Sequence, residues 1–204
     1  MAISEVAIAN LALQKLGAAR IVSLTEDSRN ARTINSCYEF MRDRELRANA
    51  WNFAIKRASL AASSTAPTFD FDRAFPVPAD FLRLLPPPIL YLDWTIENHL
   101  GSPAILTNDT APLEIRYIAR ITDPTKFDTI FIDMLACKIA WHCCEEITQS
   151  NTKKAEIQKE YTDSKNDAKK INAFEKIEEP GPEDPWVAAR MVGLRNWLNG
   201  PWVR

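Results

Sequence analysis

His142, Cys143, Cys144, Glu145 and Glu146 concentrate metal-ligating and acid–base side chains in five consecutive positions. On a helix, adjacent residues point about 100° apart, so a metal bound by His142 needs partners three or four positions away. Only Glu145 and Glu146 meet that condition, and the simpler expectation is that Trp141 and Cys144 pack inside while the two glutamates face water. No metal site and no cofactor are expected. Asp70 and Asp72 alternate along an expected strand, and Asp128 lies near Asp133. Paired carboxylates serve glycoside hydrolysis only at about 5–10 Å across a cleft, and ordinary surface acids are the favoured reading. A serine or cysteine triad has only His99 and His142 as bases, and the chain carries no Gly-x-Ser-x-Gly elbow, phosphate loop or dinucleotide fingerprint. The chain is therefore not expected to be an enzyme.

Two arginine groups invite a phosphate-binding reading. Arg29 and Arg32 lie one turn apart at the start of an expected helix, and Arg42, Arg44 and Arg47 lie near its end. Glu39, Asp43 and Glu45 interleave with the second group, so ion pairing within or between subunits is preferred to nucleic-acid binding. The last segment poses a different problem. Trp186, Arg190, Met191, Leu194, Arg195, Trp197, Leu198, Trp202 and Arg204 bring large apolar groups beside guanidinium groups, in a stretch too short to bury three tryptophans by itself. Tryptophan and arginine are enriched in interface hot spots, so these residues are expected to dock onto another chain.

The elements that must position these residues follow from composition and spacing. The 204 residues carry 25 basic and 27 acidic side chains with 46% hydrophobic residues, an ordinary globular balance that excludes a polyelectrolyte held to nucleic acid by bulk charge. Thirteen prolines against five glycines disfavour glycine-built phosphate loops, and their placement divides the chain. Proline is absent before Pro67, dense to Pro124, absent to Pro180 and dense again beyond it. The most apolar run, Ile130 to Trp141, contains Asp133 and Lys138, so no membrane span is expected, and the opening Met-Ala-Ile-Ser-Glu has no signal-peptide character. Cys37, Cys137, Cys143 and Cys144 lack disulfide or zinc spacing and are expected as packed, reduced thiols.

Ser4 caps a first helix with Ala7, Ile8, Leu11 and Ala12 on one face and Gly17 as its stop. Asp27 or Ser28 caps a second, where Ala31, Ile34, Tyr38, Met41 and Glu45–Leu46 follow helical spacing and Arg42 to Glu45 turn mostly outward. Strands are expected at 69–71, 89–91, 94–96 and 113–117, with a short helix over 78–82. Asp123-Pro124 opens a third helix, apolar on two faces and hence central to a bundle. A fourth runs from Asn151 or Thr152 to Glu179 with Ile157, Tyr161, Ala168 and Ile171 as its stripe. The fold class is α+β: a bundle of about four helices (residues 1–53 and 123–179), an inserted small antiparallel β domain (54–122) and an extended C-terminal tail (180–204).

Several segments, in order, resemble the tail tubular protein A family, head-to-tail adaptors of short-tailed bacteriophages. They are residues 12–28, then Tyr38 with Arg42-Asp43 and Leu46, then 51–57 (Trp-Asn-Phe-Ala-Ile-Lys-Arg) and 75–82 (Phe-Pro-Val-Pro-Ala-Asp-Phe-Leu). Ile96-Glu-Asn98, Ile115-Arg-Tyr117, Pro124 with Phe127-Asp128, and the 135–148 helix ending in Glu146-Ile-Thr-Gln-Ser150 continue the likeness, which covers residues 4–175. The resemblance implies a structural virion protein that forms a dodecameric ring between the portal protein and the tail nozzle protein. Genomic DNA would pass through the lumen without specific binding. It further implies a chain made in the bacterial host cytoplasm, monomeric when isolated, and a C-terminal segment that reaches the portal. A virion-associated wall-glycan hydrolase is the alternative.

Overall fold

The computed structural model describes residues 3–85 and 93–175. Residues 1–173 form one compact unit and 174–204 a second. The expected strand at 89–91 and the expected docking residues from Trp186 to Arg204 lie outside the described residues.

The first unit is α+β. Helix α1 (Glu5–Leu16) starts where the Ser4 hydroxyl accepts the Ala7 N–H at 3.1 Å, and ends where Gly17 enters the left-handed region at φ 69°. Its buried face is Ile8, Ala9, Ala12, Leu13 and Leu16, while Leu11 is exposed, so the stripe lies one residue round from the expected one. Helix α2 (Arg29–Ala48) is capped by Ser28 through the Ala31 N–H. Its stripe of Ala31, Ile34, Tyr38 and Met41 is buried as its spacing predicts, but Arg42 and Glu45, expected to turn mostly outward, are buried too.

Six strands follow among the described residues: β1 (Ile55–Leu60), β2 (Arg73–Pro76), β3 (Phe81–Leu84), β4 (Trp94–His99), β5 (Ser102–Thr107) and β6 (Leu113–Ala119). They form two three-stranded antiparallel sheets, ordered β1-β6-β3 and β2-β5-β4. Residues 69–71 make a turn, with Asp70 at φ 69°, rather than a strand. Pro78 to Asp80 make one turn, closed by the Phe81 N–H on the Pro78 carbonyl, and pairing of Phe81–Leu84 with β6 replaces the short helix expected there.

Helix α3 (Thr129–Thr148) begins five residues after Pro124, because two acids cap in succession. Asp123 caps a single 3-10 turn over Pro124–Lys126. Phe127 is then extended, and Asp128 accepts the Ile130 N–H at 3.0 Å to start the helix proper. The break lets Phe127 join Phe53, Phe131 and Trp51 in an aromatic cluster with ring centroids 5.1–6.4 Å apart. Helix α3 is buried on both faces, against α1 and α2. Helix α4 (Asn151–Phe174) buries only Ile157, Tyr161 and Ala168, and Ile171 is exposed. Among the described residues no helix is long and apolar enough to cross a membrane. One continuous apolar core joins Leu13, Met41 and Met134 of the helices to Leu60, Leu84, Ile105 and Ile118 of the sheets.

Candidate functional site

The residues singled out for chemistry are dispersed by the fold. Asp128 is an N-cap, whereas Asp133 receives Lys15 at 3.1 Å, so the two acids are engaged separately. Asp70 and Asp72 are exposed on a bend rather than aligned on a strand. His142, Glu145 and Glu146 are exposed, with Glu145 bound to Lys154 at 2.5 Å and Glu146 accepting the Thr33 hydroxyl at 2.7 Å. No group of three ligating side chains suited to a metal ion occurs among the described residues. All four cysteines are buried as free thiols, and Cys37 and Cys143 face each other across α2 and α3 at 3.4 Å. The Cys37 hydrogen bond together with burial pushes the Cys143 thiol up, and burial pushes Cys137 up to about 11, so both stay protonated at neutral pH.

Three polar assemblies hold the frame. At the centre of the bundle Glu45, 2% exposed, accepts the Tyr161 hydroxyl at 2.8 Å and Lys165 at 3.1 Å, with Lys138 at 3.9 Å. Lys138, 3% exposed, lies over the rings of Trp141 and Tyr161 at 4.2 and 4.8 Å. Burial lowers the Lys138 ammonium from its ordinary value more than Glu45 raises it. At Lys165 burial also pulls down, but the bonds to Tyr161 and Glu45 outweigh it and hold that ammonium up. This knot ties α2, α3 and α4 together, and its sequence signals were Glu45 four residues after Met41 on the buried stripe and Lys138 inside an apolar run.

The second assembly joins the bundle to the sheet. The Asp80 carboxylate accepts Lys56 of β1 at 2.6 Å and the Tyr117 hydroxyl of β6 at 3.0 Å, while its carbonyl accepts the Arg120 N–H. The Arg120 side chain reaches Asp43 of α2 at 2.7 Å, and Asp43 also takes Arg42 at 2.9 Å. The third assembly fastens α4: the Asn172 side-chain oxygen accepts the Asn52 N–H at 2.8 Å and its amide donates to the Ala50 carbonyl at 2.9 Å. Trp51, between them, is buried and donates its indole N–H to the Glu45 carbonyl.

Two concavities among the described residues bear on a binding role. An open groove of about 480 Å³ between α2 and β3 is lined by Phe40, Asp43, Arg44, Arg47, Ala48, Leu82 and Arg83. A cavity of about 330 Å³ where the two sheets meet is lined by Leu84, Trp94, Ile105, Leu113 and Ile115 together with Thr107, Asp109, Glu114 and Arg116. The arginines noted in the sequence thus divide. Arg29 donates to the Glu146 carbonyl, Arg32 pairs with Asp27 at 2.8 Å and Arg42 is buried against Asp43. Arg47 donates to the Leu82 carbonyl, and Arg44 and Arg83 have no carboxylate partner among the described residues. Phe40, 65% exposed, and Arg83 are the groove residues that helical spacing alone did not bring forward.

No family model and no curated protein matches the chain.

Proposed function

We propose that this protein is a structural virion component, a head-to-tail adaptor of a short-tailed bacteriophage that forms a dodecameric ring between portal and tail nozzle, with the genome passing through its lumen. The observation that carries the reading is where the family-like segments fall in the fold. Residues 51–57 hold Trp51, Asn52 and Lys56, and residues 75–82 hold Asp80. Tyr117 closes the Ile115-Arg-Tyr117 segment, and Arg42-Asp43 lies in the second. These same residues make the joint between bundle and sheet through the Lys56–Asp80–Tyr117 contacts and the Asp43 ion pairs. The likeness runs over residues 4–175 and includes these joint residues, so it concerns the architecture of the whole unit, which is the property an adaptor needs.

The chemistry of the interior supports the same reading. Its buried charges and thiols are engaged with one another, as in a frame built to hold shape: Glu45 with Lys138 and Lys165, Cys37 with Cys143. A ring forms by repeating one heterologous contact whose rotation closes, so subunits need distinct surfaces for neighbour, portal and nozzle. Residues 186–204 are assigned to the portal because they combine tryptophan and arginine anchors. Removing residues 180–204 is expected to leave a folded chain that no longer co-sediments with portal rings. Co-sedimentation equal to that of the full chain would overturn the portal assignment.

A further inference from the structure

We infer that the groove between α2 and β3 is one half of the self-contact in the assembly, and that it receives the outer strand β4 of a second copy of this chain. The inference rests on the ring reading above and specifies its repeating contact.

The groove combines an apolar floor with uncompensated positive charge. Phe40 projects from α2 with most of its ring in water, beside Ala48 and the buried Leu82. Arg44 and Arg83 flank this floor without a carboxylate partner among the described residues, and the Arg83 Nε is buried with no hydrogen-bond partner. Asp43, the one acid in the lining, is already shared by Arg42 and Arg120. A half-exposed aromatic between guanidinium groups is the composition of an interface anchor, and its counterpart must supply carboxylates together with apolar surface.

The complementary patch lies elsewhere on the same unit. Among the described residues strand β4 is the outer strand of its sheet, and no described strand pairs with its far edge. Trp94, Ile96 and Leu100, on this strand and its turn, are all exposed. Asp93 and Glu97 flank Trp94 and Ile96, with Glu97 on the opposite face of the strand, so a groove that takes the strand meets both kinds of side chain; neither carboxylate makes an ion pair among the described residues. One chain thus offers a cationic groove with an aromatic floor and an anionic strand with apolar side chains, two different surfaces of opposite sign. That is the requirement for a heterologous contact, in which the strand of one copy enters the groove of the next and leaves its own groove open for another.

The test uses the full chain and purified portal rings, with complex mass read as protein is titrated. The groove variant carries Arg44→Glu and Arg83→Glu, and the strand variant carries Asp93→Lys and Glu97→Lys. Arg44→Glu alone, on the exposed face of α2, serves if the double groove variant melts early. Each variant by itself is expected to need at least about tenfold more protein to complete the ring. An equimolar mixture of the two double variants, in which reversed strands meet reversed grooves and unreversed strands meet unreversed grooves, should recover ring completion with alternating copies. Variants that complete rings as the unaltered chain does would overturn the contact while leaving the ring reading in place. An unaltered chain that adds no mass to the portal would overturn both.

Discussion

Glu45 is the residue on which the bundle's polar interior turns. Its carboxylate faces two ammonium groups, and it is the carboxylate that Lys138 pairs with among the described residues, beside the ring faces of Trp141 and Tyr161. Glu45→Ala leaves a buried cation without its counter-charge, a change that typically costs about 3–5 kcal/mol. The double variant Glu45→Leu with Lys138→Met removes both charges and should recover most of that loss, because replacing a buried pair by apolar groups is often near neutral. Urea midpoints of the two variants check this, and equal losses would contradict it. Asp80 gives a prediction in pH. Burial alone would raise its carboxyl, but the bonds from Lys56 and Tyr117 outweigh burial and hold it below the ordinary value of 3.8. The folded chain then binds fewer protons than the unfolded chain near that value, so the contribution is complete above pH 3.8 and is lost as pH falls through the lowered folded value. Asp80→Asn should lower stability at neutral pH and flatten the acid limb of a stability–pH profile. An acid limb as steep as that of the unaltered chain would contradict the assignment.

At the scale of elements, two of the positions that hold a positive φ predict opposite signs. Gly17 ends α1 at φ 69°, and a Cβ there would meet nothing within 4 Å. Gly17→Ala therefore costs only the left-handed strain, about 1 kcal/mol, and Gly17→Asn costs less. Leu100, 72% exposed, holds φ 52° ahead of Gly101 at φ 82°, the conformation of a two-residue hairpin turn that favours Asn-Gly. Leu100→Asn should stabilise the β4–β5 hairpin by roughly 0.5–1 kcal/mol. Thermal melts of the three variants decide both statements. The caps, stops and stripes of α1 and α2 were legible because they are local: Ser4, Gly17 and Ser28 act within four residues of themselves. The burial of Arg42 was not legible, since it depends on α1 packing beside it, and the spacing that put Glu45 near the stripe could not name its partners, because Lys138 and Lys165 arrive from other parts of the chain. The same reason hid the groove, which needs Leu82 and Arg83 of β3 to lie beside Phe40 and Arg44. The Asp123-Pro124 signal was read one turn early because Asp128 supplies a second cap and the aromatic cluster draws Phe127 out of helical conformation.

Within residues 1–173, the continuous core and the Asp43–Arg120 and Asn172 joints tie helices and sheets into one unit, and on the adaptor reading that unit is what repeats in the ring. On the proposed contact, the angle between the groove and the β4 edge of one unit determines whether successive copies close. Closure should depend on salt, since its contact pairs arginines with carboxylates at an exposed surface. The measurement that bears most directly on the adaptor reading is the mass of the particle formed with and without portal rings, taken on the full chain at one protein concentration. An adaptor of this kind raises the portal's mass by a full ring of twelve copies and forms no ring of that size in its absence. A portal whose mass is unchanged after incubation with excess protein would contradict that reading.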